Sequence, residues 1–177
     1  LHGAEKRAEF EAAVLPHLDA AYNLARWLLR SEHEAEDVVQ EAYLRALRFF
    51  GGFRGGDSRG WLLTIVRNVS YTWLRKRRPE ELTLSLDEEI HGREEGGPSP
   101  EGEVLRRAVG RSVKQALETL PLELREVIVL RELEGLSYAE IASVAEIPIG
   151  TVMSRLSRAR SRLRNLLASS LGREVAR

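Results

Sequence analysis

Cysteine is absent from this 177-residue chain, which removes a disulfide frame, a thiolate metal site and a cysteine nucleophile. That absence is compatible with a reducing cytoplasm, where the protein is expected to act. Long apolar runs are missing as well. None approaches the roughly 20 residues needed to span a bilayer, so membrane insertion is not expected. The opening residues, LHGAEKRAEF, lack the apolar segment of a secretory signal. Net charge is missing too, because 27 Lys and Arg balance 27 Asp and Glu.

Signs of catalysis are equally sparse. HEAED at 33–37 is close to the zinc motif H-E-x-x-H but lacks its second histidine. The glycine-rich GGDSRG is not followed by the Lys-Ser/Thr pair of a P-loop. His2, His17, His33 and His91 are scattered and read as surface groups. No catalytic residue, metal ligand or cofactor is assigned, and an enzyme is not expected.

Charge is present in an uneven pattern. Residues 1–78 hold 13 basic and 10 acidic side chains, a net of +3. Residues 79–103 hold one Arg against nine acids, a net of −8, and residues 104–177 hold 13 against 8, a net of +5. Two mildly basic blocks flanking an acidic strip point to polyanion-binding ends. The strip combines Pro79, Gly96, Gly97, Pro98 and Pro100 with repelling acids, which is linker composition. Within it LTLSL could dock locally. Apolar residues on either side recur at helical spacing, with no run of alternating strands. The expected fold is all-α: small helical domains at 1–78 and 104–177, joined by a flexible acidic linker at 79–103.

In the first block one helix is expected over 5–29. A second starts at Ser31, whose spacing to Glu34 is that of a capping box. Its apolar stripe runs through Ala35, Val38, Val39, Ala42, Tyr43, Ala46 and Phe50, leaving Asp37, Gln40, Glu41, Leu44 and Arg48 on the other side. After the glycine-rich loop comes a helix with Leu62, Ile65, Val66, Val69 and Trp73 buried and Thr64, Asn68, Tyr71 and Arg75 along an exposed line. Helices near 104–119, 121–134, 137–144 and 149–170 make up the second block. Pro121 suits a first helical turn, Gly135 a stop, and Ser137 with Glu140 another capping box.

LSYAEIASVAEIPIGTVMSRLSRARSRL reads as a helix-turn-helix. On its longer helix Val152, Leu156, Ala159, Leu163 and Leu166 form the buried stripe. Ser154, Ser157, Arg158 and Ser161 point away, flanked by Met153 and Arg155. Small hydroxyls beside arginines fit a major groove: serine leaves room, while arginine reaches a phosphate or both acceptors of guanine. The charge concentrated in TVMSRLSRARSRLR is therefore expected to act on DNA, the other reading being a solvated arginine-rich face.

Three segments in order resemble the extracytoplasmic-function sigma factors, the small two-domain alternative sigma factors of bacterial RNA polymerase in the sigma-70 family. EAEDVVQEAYLRA is similar to their clamp-binding helix and FRGGDSRGWLLTIVRN to their promoter-melting segment. LPLELREVIVLRELEGLSYAEIASVAEIPIGTVMSRLSRARSRL resembles their C-terminal domain. The resemblance implies that Asp37, Gln40, Glu41, Leu44 and Arg48 meet core polymerase, at the clamp of its largest subunit. It further implies that Arg54, Asp57, Ser58, Asn68, Tyr71 and Arg75 capture the melted −10 element. Lys76, Arg77 and Arg78 would hold phosphates, and Trp61 and Trp73 would be packing residues. Thr151, Met153, Ser154, Arg155, Ser157 and Arg158 would face the −35 duplex, Met153 departing from the basic residue many relatives carry. Glu146 stands where many relatives have glycine.

Partners implied by the resemblance are core RNA polymerase (clamp and the flap of its second subunit), promoter DNA and an anti-sigma factor. The acidic linker is expected to occupy a basic channel otherwise used by RNA. Nothing resembles the inhibitory N-terminal region or middle domain of housekeeping sigma factors. A conventional helix-turn-helix regulator on duplex operators is the alternative reading, and a purely helical adaptor a third.

Overall fold

A computed structural model of the chain describes residues 2–83 and 103–175. The segment expected to form most of the acidic linker, including the end of LTLSL, lies outside the described residues. Every regular element is helical among those described.

The first expected helix is two. α1 spans His2–Val14, a 3-10 turn covers Leu15–His17, and α2 runs Leu18–Leu29. Pro16 causes the break, since it has no N–H and its ring crowds the carbonyl four residues back. The apolar spacing of Ala21, Leu24, Ala25, Leu28 and Leu29 buries one stripe of α2 against α3 (Glu32–Phe49) and α4 (Ser58–Arg77). Ser31 caps α3 as expected, its hydroxyl accepting from the Glu34 N–H at 3.3 Å. The reciprocal half of the box does not form, because the Glu34 carboxylate accepts from Arg78 instead.

On α4, Leu62, Val66 and Val69 are buried as expected and Ile65 and Trp73 half-buried, with Leu63, Ser70 and Leu74 completing the inner face. Between α3 and α4 the glycine loop is pinned by aromatic rings. Phe10 meets Tyr43 and Phe50 edge-on with centroids 5.0 and 5.3 Å apart, and Phe53 lies 5.0 Å from Trp61. Trp61 is thus a packing residue. Gly55 and Gly56, with φ of 80° and 94°, turn the chain where a side chain would be strained.

After a short helix α5 (Glu80–Thr83), the second part consists of α6 (Glu103–Thr119), α7 (Leu122–Ile128), α8 (Tyr138–Ala145) and α9 (Ile149–Val175). Pro121 is the N-cap of α7, one position before the first turn. The helix expected to reach 134 ends earlier, passing into a π turn over Val129–Leu133. Gly135, at φ 67°, then closes it, with the Leu136 N–H on the Leu130 carbonyl at 3.0 Å. Both halves of the Ser137–Glu140 box form, at 3.2 and 2.6 Å. Glu146 takes the left-handed turn of the helix-turn-helix at φ 57°. Val152, Leu156 and Ala159 are buried beneath α9, with Leu163 and Leu166 half-buried further along.

The two helical parts do not stand apart. α4 packs on α8 and α2 on α7, and buried residues from both parts form one continuous core.

Candidate nucleic-acid interface

The outer face of α3 presents Gln40, Leu44 and Arg48 to solvent, with Asp37 and Glu41 half-exposed. Glu41 bonds Arg45 one turn on at 2.7 Å, and His33 lies 3.9 Å from Asp37. Leu44, 59% exposed, sits among these charges as an apolar anchor. Among the described residues no other element covers Gln40, Leu44 and Arg48.

At the loop before α4, Arg54 is exposed. Asp57 is the N-cap of α4, its carboxylate accepting from the Gly60 N–H at 2.9 Å. A Cβ at Gly60 would collide with that carboxylate, so this glycine is required by the cap. Ser58 is half-buried, with its hydroxyl 3.2 Å from Nε2 of His17. His17 is therefore part of the loop's support and not the surface group its isolation in the sequence suggested.

The line Thr64, Asn68, Tyr71 and Arg75 is exposed only at Arg75. Tyr71 donates to Glu126 Oε2 at 2.9 Å, and Arg67 donates to Glu126 Oε1 at 2.7 Å while lying 3.8 Å over the Tyr71 ring. Periodicity located the polar face of α4 correctly but not what would cover it. Burial raises the Tyr71 hydroxyl well above its ordinary value, with the Glu126 charge adding to it. Desolvation likewise raises the fully buried Glu126 carboxyl, with Arg67 and the Tyr71 hydroxyl pulling it back.

Within the basic run, Arg75 and Lys76 are exposed and Arg77 stacks over the Trp73 ring at 3.8 Å. Arg78 differs from the expectation of a phosphate-holding residue. It turns inward, donating to the Leu29 carbonyl at 2.8 Å, to Glu34 and to Glu81 at 3.2 Å. The last carbonyls of α2 lack helical partners and carry the negative end of its dipole, which draws a guanidinium there.

On α9, Met153, Ser154, Ser157 and Arg158 are exposed and Thr151 is half-buried. Arg155 is less available than its spacing suggested, with 15% of its side chain exposed and an ion pair to Glu123 at 3.3 Å.

Sequence reading missed Arg59, Arg67, Arg125, Glu126 and Glu134. Arg59 donates to the carbonyl and the carboxylate of Glu134. Arg125, fully buried, donates to the carbonyls of Leu120 at 2.7 Å and Leu28 at 3.2 Å. Burial, then the nearby Arg30 charge, lowers the Arg125 guanidinium to about 10. One signal was available: Arg125 and Glu126 interrupt the otherwise apolar run LREVIVL, where unpaired charges could not stay.

Among the described residues no helix is long and apolar enough to cross a membrane, and no cluster is placed to hold a metal ion. An exposed polar face on α3, a basic run at the end of α4 and a helix-turn-helix made by α8 and α9 place the chain in the class of helical DNA-binding proteins. Comparison then narrows the class. The Sigma-70 region 2 family matches residues 13–80 and the Sigma-70, region 4 family residues 110–163. The ECF RNA polymerase sigma factor SigE of Mycolicibacterium smegmatis is 35% identical over 90% of this chain, which spans 62% of that protein's length. The RNA polymerase sigma-H factor of Pseudomonas aeruginosa is 38% identical over 88% of this chain and 84% of its own. Among solved structures, the sigma factor RpoE of Bartonella quintana, in complex with the anti-sigma factor NepR, superposes with a TM-score of 0.69. It is 31% identical, covering 90% of this chain and 97% of its own. The chain belongs to the extracytoplasmic-function sigma factors of the sigma-70 family.

Proposed function

We propose that this chain binds bacterial core RNA polymerase through α3 and directs it to promoters by reading −35 duplex DNA with α9 and capturing the melted −10 strand along the loop and helix at 54–77. The observation that carries this reading is the conjunction of surfaces. A conventional regulator needs the helix-turn-helix but not the uncovered Gln40–Leu44–Arg48 row or the capped glycine loop. On this reading the functional domains are 1–78 and 104–177, with the acidic strip 79–103 as linker.

Half-exposed acids beside an apolar anchor suit a basic clamp surface, where they give steering and register while Leu44 supplies buried area. Opening a duplex costs base stacking. Arg54, Ser58 and Asn68 offset that cost through contacts to an everted base or its backbone, with Asp57 holding the loop that presents them. Arg75, Lys76 and Arg77 add a sequence-blind phosphate attraction that weakens with salt. On α9, Ser154, Ser157 and Arg158 face the −35 groove, and Thr151 contacts a phosphate. An anti-sigma factor, the kind of partner bound in the Bartonella quintana complex, is a candidate regulator.

The test is a titration of the full chain against sigma-free core polymerase. Tight binding that Asp37→Arg with Glu41→Arg weakens about a hundredfold is the expected result. A folded wild-type chain that does not bind core would overturn the reading and leave an ordinary helix-turn-helix regulator.

A further inference from the structure

Among the described residues, the exposed large apolar side chains of the second helical part are Leu133, Ile149 and Met153, at 51%, 46% and 52%. Ile149 and Met153 stand one turn apart in the first two turns of α9, as neighbours on one face. α9 already buries Val152, Leu156 and Ala159 on its inner stripe, and this pair lies next to that stripe without joining it. Apolar side chains scattered singly over a surface are ordinary. These two sit together at the end of α9 that a helix-turn-helix presents to base edges.

The polar side chains beside the pair are less free to read bases than their number suggests. Arg155 is held by Glu123 at 3.3 Å. The Ser154 hydroxyl donates to the Thr151 carbonyl at 3.1 Å, which leaves it only acceptor capacity. Gly150 has no side chain, and nothing lies within 4 Å of where one would begin. The first two turns of α9 therefore meet a major groove chiefly through methyl and thioether groups. In that groove the apolar mark on a base pair is the 5-methyl of thymine. Methionine suits it, being unbranched and able to follow an uneven apolar surface. Size and charge favour DNA over a protein partner. Two side chains fall far short of the roughly 800 Å² per partner of a stable protein interface, whereas a thymine methyl needs one such contact. Exposed Ser154, Ser157 and Arg158 follow the pair along α9, and residues 104–177 carry 13 basic side chains against 8 acidic, which suits a polyanion.

We propose that Met153, supported by Ile149 one turn before it, reads the 5-methyl group of thymine in upstream duplex DNA, so that this chain selects its promoters there by an apolar contact. The inference rests on α9 entering the −35 duplex, as the proposed function has it, and adds which base feature is selected. A basic side chain at 153 would instead take a phosphate or a base acceptor and would be blind to the methyl.

The test uses the full chain assembled with bacterial core polymerase. Duplexes carrying a long randomised stretch are selected on this holoenzyme. The enriched duplex is then remade with deoxyuridine in place of one thymine at a time, which deletes the methyl and nothing else. At a thymine of the upstream element the loss should weaken wild-type binding about fourfold, the equivalent of one buried methyl group. Met153→Ala should bind the two forms alike, and Met153→Leu should keep part of the difference. Met153→Arg should bind the unselected pool more tightly at low salt, with a steeper salt dependence, and lose the preference for thymine over uracil. The wild-type comparison needs no variant, so a folding defect cannot imitate its result. If no upstream thymine responds to loss of its methyl, or if Met153→Ala keeps the full response, the inference is wrong while the sigma reading stands. A chain that binds no core polymerase would sink the sigma reading, and the same selection on the free chain then decides the methyl contact by itself. Enrichment of no sequence in either form would overturn both.

Discussion

The outer faces of α3 and α4 are both polar helix surfaces on one bundle, yet only one is open. On α3, Gln40, Leu44 and Arg48 meet solvent. On α4, Arg67 and Tyr71 are tied to a carboxylate from another part of the chain. The difference follows from what each face carries. On α3 the exposed Arg48 stands in solvent one turn from Leu44, whereas on α4 an arginine and a phenol lie side by side and take both oxygens of one carboxylate. Complementary chemistry within the chain therefore decides which functional surface stays available in the free protein.

Removing the covering would break that contrast most strongly. Arg125 ties α7 to the end of α2 through the Leu28 carbonyl and to its own entry turn through Leu120 and Glu118. Arg125→Ala leaves these buried carbonyls unpaired and opens a cavity, at a cost of about 3 kcal/mol or more. Urea unfolding should show that loss as a lowered midpoint. The complementary change acts on α3 alone. Asp37→Arg with Glu41→Arg should weaken core polymerase binding about a hundredfold, roughly 2.7 kcal/mol, while leaving the urea midpoint near that of the wild type. If the reversals also lowered the midpoint substantially, the α3 face would not be independent of the covered one.

A pH titration sharpens the comparison by a smaller amount. In the folded chain burial raises the Glu126 carboxyl, with Arg67, Tyr71 and Arg155 opposing; unfolding returns it toward its ordinary 4.5. The folded form therefore binds the proton more tightly than the unfolded one. Lowering the pH through the raised value toward about 4.5 should favour the folded form, and raising it again removes that contribution. The urea midpoint should rise over that window in the wild type relative to Glu126→Gln. A midpoint that falls on acidification relative to Glu126→Gln would mean that the charged pair, not desolvation, governs the carboxyl.

Much of the fold was legible because its signals are local. Ser31, Ser137 with Glu140, and Gly135 mark helix ends through bonds made within one turn. Apolar stripes on α3, α4 and α9 follow from side-chain spacing alone. The break at Pro16 was also written in the sequence, and reading 5–29 as one helix passed over it. By contrast, the π turn after Ile128 answers to packing that no short window contains. Functional residues divide the same way. Met153, Ser154, Ser157 and Arg158 could be placed by register, whereas Arg78, Arg155 and Tyr71 are withdrawn by partners far away in the chain. Periodicity tells which face is polar, and only the tertiary contact tells whether water or a carboxylate meets it.

The smallest expected effects come from two residues in the same strained conformation, Arg30 at φ 56° and Glu146 at φ 57°. Glycine relieves the left-handed strain at either position by about 1–2 kcal/mol, but gives back about 0.4–1 kcal/mol by loosening the unfolded chain. The side chain then decides the sign. Glu146 makes no side-chain hydrogen bond or ion pair among the described residues, so Glu146→Gly should raise stability by up to about 1 kcal/mol. Arg30 pairs with Glu81 at 2.7 Å and donates to the Glu118 carbonyl at 3.1 Å, across the domain contact. Losing both, at up to about 1 kcal/mol each, should make Arg30→Gly neutral to destabilising. Paired thermal melts of the two variants would read the difference. A gain of equal size at both positions would mean that the Arg30 contacts contribute nothing to stability.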